Sequence, residues 1–179
     1  MKARALRSLF PLALAVLFAA GPWLPVRLNL TPSLPRGLYL ETGSSPRRGD
    51  LAMACLPLSI AAVGLERGYL RPGSCPSGTA PVLKWIAASQ GDHVSATREG
   101  LSINGRLLRN SRARATDSGG RLLASAPPPV SPLAPAVVWL YTPDSNSWDS
   151  RYYGALPAES VVGTVRPLLT FPALVSIEP

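Results

Sequence analysis

The spacing of prolines and glycines constrains this chain more than any other feature. Its 179 residues hold 20 Pro and 15 Gly, about a fifth of the total. A proline inside a helix removes a backbone donor and clashes with the preceding turn. No long amphipathic helix can be drawn, and only 16% of residues are charged. Many short strands joined by turns remain, so the expected fold class is mainly β. The length suits one globular domain with its own core, plus whatever precedes it.

One stretch departs from that pattern. Leu9 to Leu24 contains no charged residue, and Lys2, Arg4 and Arg7 stand just before it. This is a positively flanked membrane segment at the short end of what a bilayer-spanning helix needs. A cleaved secretory signal is the rival reading. Pro22 and Pro25 disturb the place where a small-residue cleavage site should lie, and the run is longer than a usual signal core, which favours a retained N-terminal transmembrane helix. The basic flank should stay in the cytoplasm. Residues 1–25 are therefore expected to be a cytoplasmic tip and inner-membrane anchor, with 26–179 a periplasmic domain. In that oxidising compartment Cys55 and Cys75 are expected to form a disulfide. The formal charge of +8 does not point to nucleic acid, because the basic residues are scattered and no aromatic-interleaved basic face exists. No metal-ligand cluster and no cofactor motif is visible either.

Beyond the anchor, Leu28 to Gly37 is Pro-rich, without helical or strand period, and reads as a structured loop. Strands are expected at Gly37–Glu41, Leu51–Cys55, Val82–Ala87, His93–Thr97, Leu101–Ile103, Arg106–Leu108, Val137–Thr142 and Val161–Arg166. The Asn-Gly at 104–105 is a strong hairpin signal. A weak helical spacing runs from Ser59 to Leu70. Residues 109–135 are basic, Ser/Ala-rich and then Pro-rich, and read as a mobile cap or flap.

Chemistry concentrates at two places. Alternation on the Val82–Ala87 strand puts Val82, Lys84 and Ile86 on one otherwise apolar face, where a lysine looks out of place. A serine hydroxyl needs another group to take its proton, and a lysine can do so if burial holds its amine neutral. Ser33 lies between Pro32 and Pro35, whose stiff backbone would fix the side chain and leave its neighbouring amide available as an oxyanion donor. Thr31 is a candidate second donor. The single histidine, His93, is the rival base, but carries no signature around it. Surface turns commonly hold serine beside proline, and strand lysines often reach solvent, so neither place is decisive alone.

Four segments taken together carry a resemblance. Thr31-Pro-Ser-Leu-Pro-Arg-Gly-Leu-Tyr39, Arg48-Gly-Asp50, Val82-Leu-Lys-Trp-Ile-Ala-Ala-Ser-Gln-Gly-Asp92 and Asn146-Ser-Trp-Asp-Ser-Arg-Tyr-Tyr-Gly154 follow the order and character of the blocks of type I signal peptidases. The first block departs from the usual pattern: Leu34 stands where the family has Met, and Pro35 comes one position early. That variant is similar to the conjugative-transfer, TraF-type branch. The resemblance implies a two-sheet antiparallel signal-peptidase-like fold with a cleft open toward the membrane, its rim apolar, with Trp85 and Trp148 as candidates. It implies Ser33 as nucleophile, Lys84 as base, Ser147 bonded to the lysine amine, and an Asp149–Arg151 ion pair holding the site. Asp149 belongs either to the catalytic set or to this framework. If the stretch is extended, Ser147, Asp149 and Arg151 face the same way.

The expected function is a Ser-Lys endopeptidase that acts on an exported protein precursor at the bilayer, with pilin maturation as the branch-specific role, cyclisation included. Two other classes remain. A self-cleaving repressor shares the dyad, but is cytosolic and carries a DNA-binding segment, against the apolar run here. A non-enzymatic pilus-assembly scaffold would keep the fold and lose the activity.

Overall fold

The computed structural model describes residues 25–127 and 130–171. The expected anchor lies, apart from Pro25, outside the described residues. Among those described, no helix is long and apolar enough to cross a membrane.

Ten strands form in chain order: β1 (Val26–Asn29), β2 (Arg36–Glu41), β3 (Leu51–Ala54), β4 (Val82–Ala88), β5 (Val94–Ala96), β6 (Leu101–Ile103), β7 (Arg106–Leu107), β8 (Val137–Tyr141), β9 (Leu156–Pro157) and β10 (Val161–Phe171). Among the described residues two short α-helices, α1 (Leu58–Glu66) and α2 (Ser150–Tyr153), and a 3-10 turn at Ala158–Ser160 interrupt them. Seven strands make one sheet in the order β1-β2-β10-β3-β4-β8-β9, and β5-β6-β7 make a second. All pairings are antiparallel. The mainly β, two-sheet expectation and the antiparallel signal-peptidase-like fold agree with this architecture.

The loop expected over Leu28–Gly37 gives way at its start to β1 (Val26–Asn29). Three of its four residues are not buried, and prolines flank it at Pro25 and Pro32, so no inward-outward alternation marks it as a strand. Its strand character comes from pairing, with Asn29 opposite Gly37 and Val26 opposite Leu40. Gly37 is needed there: its φ is +145°, and a Cβ would lie 2.7 Å from the Thr170 Cα and closer still to the Leu169 carbonyl oxygen. Only glycine tolerates both conditions. It lets the end of β10 close against β2, directly beneath the loop that carries Ser33.

The body packs around β3, β4 and β8. Ala52, Ala54, Ile86, Leu140 and Leu156 form one buried cluster, while Leu34, Tyr39, Leu51 and Val165 form another under the Ser33 loop. Cys55, just past β3, is bonded to Cys75 in the loop before β4.

Segment 109–135, expected to be a mobile cap or flap, is bonded to Arg67 and Tyr69 through Asp117, Arg121 and Leu122. The Tyr69 hydroxyl donates to Asp117 at 2.5 Å, Arg67 donates to the Leu122 carbonyl at 2.7 Å, and Arg121 donates back to the Arg67 carbonyl at 2.8 Å. Its basic, small-residue composition suggested mobility because these partners lie some fifty residues upstream.

Candidate active site

Strand β4 carries Lys84 inward by simple alternation. Lys84, Ile86 and Ala88 are buried, whereas Trp85 between them is 37% exposed. The family block around Arg48 holds this strand in place: Gly49 N–H donates to the Ile86 carbonyl at 2.8 Å, and Ile86 N–H donates to the Asp50 carbonyl at 2.9 Å. Arg48 also meets Asp92, beyond the far end of β4, at 3.0 Å.

Ser33 arrives from the turn between β1 and β2. Its Oγ lies 3.1 Å from Lys84 Nζ across 51 residues of chain, and Ser147 Oγ lies 2.7 Å from the same amine. Lys84 is 5% exposed. Burial disfavours its charged form and lowers its pKa to about 8; Asp149 and Asp144 oppose that shift, and Arg151 adds to it. A large fraction of the amine is therefore neutral just above physiological pH, within hydrogen-bond distance of the Ser33 hydroxyl.

Behind Ser147 stands an internal ion pair. Arg151 Nε donates to Asp149 Oδ1 and its second nitrogen to Oδ2, both at 2.8 Å, with both side chains almost wholly buried. The same guanidinium donates to the carbonyls of Ser147 at 3.1 Å, Asp144 at 2.7 Å and, from the cap, Asn110 at 3.1 Å. Tyr141 and Tyr152 rings lie 5.1 and 5.8 Å from it. Such a planar, fully engaged fork suits arginine and not lysine. It fixes the backbone of Ser147, and Ser147 in turn fixes the lysine amine.

The extended geometry expected for 147–151 is corrected. Asp149 has an extended backbone but caps α2, accepting from the Arg151 N–H at 3.2 Å. Asp149 and Arg151 meet because a capping carboxylate faces the first helical turn, not through strand alternation. Trp148 also departs from the expected rim. It packs between Tyr69 and Tyr153, with centroids at 5.2 and 5.3 Å, against α1, where Gly64 leaves the room: a Cβ there would lie 2.8 Å from the indole.

Thr31 is engaged locally. Its hydroxyl donates to Asn29 Oδ1 at 2.6 Å. His93 is exposed, with Nδ1 3.3 Å from the Ser131 hydroxyl, and no contact joins it to Ser33. Among the described residues no metal-ligand cluster exists.

Two residues escaped the sequence reading. Ser150 is fully buried and accepts the Leu140 N–H at 2.9 Å, locking α2 to β8. Asn29 makes five contacts around the Ser33 turn. An asparagine two residues before a threonine is an Asx-turn pattern, the one local signal that could have drawn attention to it.

The sequence profile described as "Signal peptidase, peptidase S26" matches residues 2–169. A conjugal transfer protein TraF of Agrobacterium tumefaciens (strain 15955) is 38% identical over 148 residues, covering 81% of this chain and 82% of that protein. A plasmid transfer protein TraF of Escherichia coli is 32% identical over 160 residues, 88% of this chain and 90% of its own length. A probable conjugal transfer protein TraF of Sinorhizobium fredii is 36% identical over 155 residues, 81% and 77% of the two chains.

Proposed function

This chain belongs to the signal peptidase family, and from that premise we propose that it is a membrane-anchored serine endopeptidase of conjugative transfer, with Ser33 as nucleophile and Lys84 as base. The family match and the TraF relatives support a peptidase-like role in conjugation. One observation carries the finer reading: a buried lysine amine with a pKa near 8 lies 3.1 Å from a serine hydroxyl.

The chemistry follows from that pair. Neutral Lys84 accepts the Ser33 proton as Oγ attacks the scissile carbonyl carbon. Negative charge then develops on the carbonyl oxygen, and the Ser33 N–H, which has no acceptor among the described residues, is left to donate to it. As the C–N bond breaks, the leaving amine takes the proton from Lys84, and Ser33 is left as an ester. Water, deprotonated by Lys84, resolves that ester to a free acid. An amine attacking in its place would give an amide instead, and a ring if the amine came from the same substrate.

The substrate class is an exported protein precursor, pilin in the conjugative setting. It is presented at the bilayer, where exposed Leu28 and Leu30 near β1 and Leu168, Leu169 and Phe171 on β10 surround the Ser33 end of the sheet. The chain should sit in the inner membrane through residues 1–25, with its peptidase domain in the periplasm.

Co-expression of the full chain with the pilin precursor, followed by mass spectrometry of both substrate termini, tests this reading. Mature termini with the wild type and unprocessed precursor with Ser33→Ala and Lys84→Ala are expected. Normal processing by Ser33→Ala would replace the enzyme with an assembly scaffold.

A further inference from the structure

We infer that Asn29 is the positioning residue of the nucleophile, holding the 31–35 turn so that Ser33 presents its hydroxyl to Lys84. This rests on the dyad reading above and extends it to a residue that touches neither dyad member.

Asn29 is the last residue of β1 and is buried, 7% exposed. Its side chain points along the turn and grips it at both ends. On one side Oδ1 accepts the Thr31 N–H at 3.1 Å and the Thr31 hydroxyl at 2.6 Å. On the other, Nδ2 approaches the carbonyls of Leu34 at 3.3 Å and Pro35 at 3.1 Å, and also that of Thr31 at 3.3 Å. A primary amide has two N–H donors, so the three carbonyls share them. Residues on both sides of Ser33 are thereby bound to one rigid planar group.

Besides Asn29, the turn is held by the burial of Leu34 against Tyr39, Leu51 and Val165, which anchors its far side but not the Thr31 side. Tyr39 donates its hydroxyl to the Pro35 carbonyl at 2.6 Å, but Thr31 and Pro32 are exposed. Ser33 contributes only its 3.1 Å approach to Lys84. A displacement of about 1 Å in such a pair costs on the order of a hundredfold in rate. Asn29 is also the acceptor that takes the Thr31 hydroxyl hydrogen, so it sets which way that hydroxyl points beside the nucleophile.

Asn29→Leu in the full-length protein in detergent micelles tests the inference, since leucine keeps the branching at Cγ and removes all five contacts. Turnover of a precursor peptide is followed against pH, with wild type and Ser33→Ala as references. The expected result is a kcat lower by about a hundredfold, KM within about threefold of wild type, and an unmoved pH midpoint, because Lys84 keeps its surroundings. A purely structural role would instead lower Tm while the folded protein kept its kcat, and that outcome would overturn the inference. Asn29→Asp keeps the acceptor for Thr31 but loses the donors, and serves if the leucine variant does not fold; wild-type kcat in it would equally overturn the inference. Amide hydrogen exchange at Thr31, whose N–H donates to Asn29 Oδ1, gives a readout in Asn29→Leu that needs no activity. Faster exchange there is expected, and unchanged exchange counts against the role of Asn29. If wild type and Ser33→Ala are equally inactive, the dyad reading fails while the exchange result still decides what Asn29 holds.

Discussion

Ser147 approaches the Lys84 amine more closely than Ser33 does, at 2.7 Å against 3.1 Å. The lysine is thus anchored from behind, with Ser147 itself held through its carbonyl by Arg151. Ser147→Ala removes the anchor without touching Ser33. Its kcat should fall by roughly ten- to a hundredfold with KM little changed, since the loss concerns orientation of the base and not substrate binding. Steady-state kinetics on a precursor peptide decide this; a larger rise in KM than fall in kcat would contradict it.

The pH response of the enzyme should follow Lys84. With Lys84 as the proposed base, activity would require the neutral amine and should rise as pH climbs through about 8 and level off above. Lys84→Arg keeps a cation that cannot give up its proton in this range and should be inactive, as should Lys84→Ala, while His93→Ala should retain its turnover. Stability carries the same signature. The unfolded lysine holds its proton to about pH 10.4, so between about 8 and that value the unfolded state binds more protons and stability rises with pH. Compared with Lys84→Met, which cancels the tyrosines that titrate nearby, wild type should gain on the order of 3 kcal/mol across this window. Urea unfolding of both proteins at pH 7.5 and 10.5 would reveal the difference.

Asp149 can be separated from the catalytic set by the direction of a shift. Its charge raises the pKa of Lys84, and that of Arg151 lowers it. Asp149→Asn should therefore move the activity midpoint below 8. Turnover should persist on the alkaline plateau, with stability reduced by about 3–5 kcal/mol because Arg151 is left buried without its counter-charge. Were Asp149 itself handling the proton, turnover would vanish at every pH. A pH–rate profile with a parallel Tm measurement distinguishes the two.

What the sequence made legible was periodic or compositional. The inward face of β4 could be read because alternation isolates Lys84 between apolar neighbours, and the disulfide because two cysteines followed a segment expected to anchor the domain outside the cytoplasm. Contacts between distant segments left no such trace. Nothing near Val26 announces a strand, since its partner is β2, and nothing near Asp117 announces Tyr69. The misplaced geometry at 147–151 has a related cause. A period of two fits Ser147, Asp149 and Arg151, but the capping ability of Asp149 turns the chain into a helix after it.

The disulfide should be a stability element alone. Cys55 and Cys75 close a loop of 20 residues between β3 and β4, away from Ser33 in sequence. Replacing both by serine should cost about 3 kcal/mol by the loop-closure argument, seen as a lower urea midpoint. Catalysis by the folded fraction should be unchanged. Native protein should take up no alkylating reagent; two labelled thiols would count against it.

The last prediction concerns where the peptidase domain works. Leu28 on β1 and Leu30 just after it border the Ser33 turn on one side, and Leu168, Leu169 and Phe171 border it from β10, each more than half exposed. They share one end of the sheet because Phe171 pairs with Arg36 and Asn29 pairs with Gly37. Exposed apolar groups gathered at one edge mark a surface that meets another apolar phase. Residues 26–179 alone should therefore sediment with liposomes even without the anchor. Burying one such side chain is worth about 1.5–3 kcal/mol when complete. Replacing Leu168, Leu169 and Phe171 by serine should accordingly weaken liposome partitioning by at least about tenfold, while kcat on a short soluble peptide stays near wild type. Trp85, 37% exposed on β4, offers an intrinsic reporter, expected to show a blue-shifted emission on addition of lipid. A domain that remains in the supernatant, with unchanged Trp85 emission, would place the active site in the aqueous periplasm instead of at the bilayer surface.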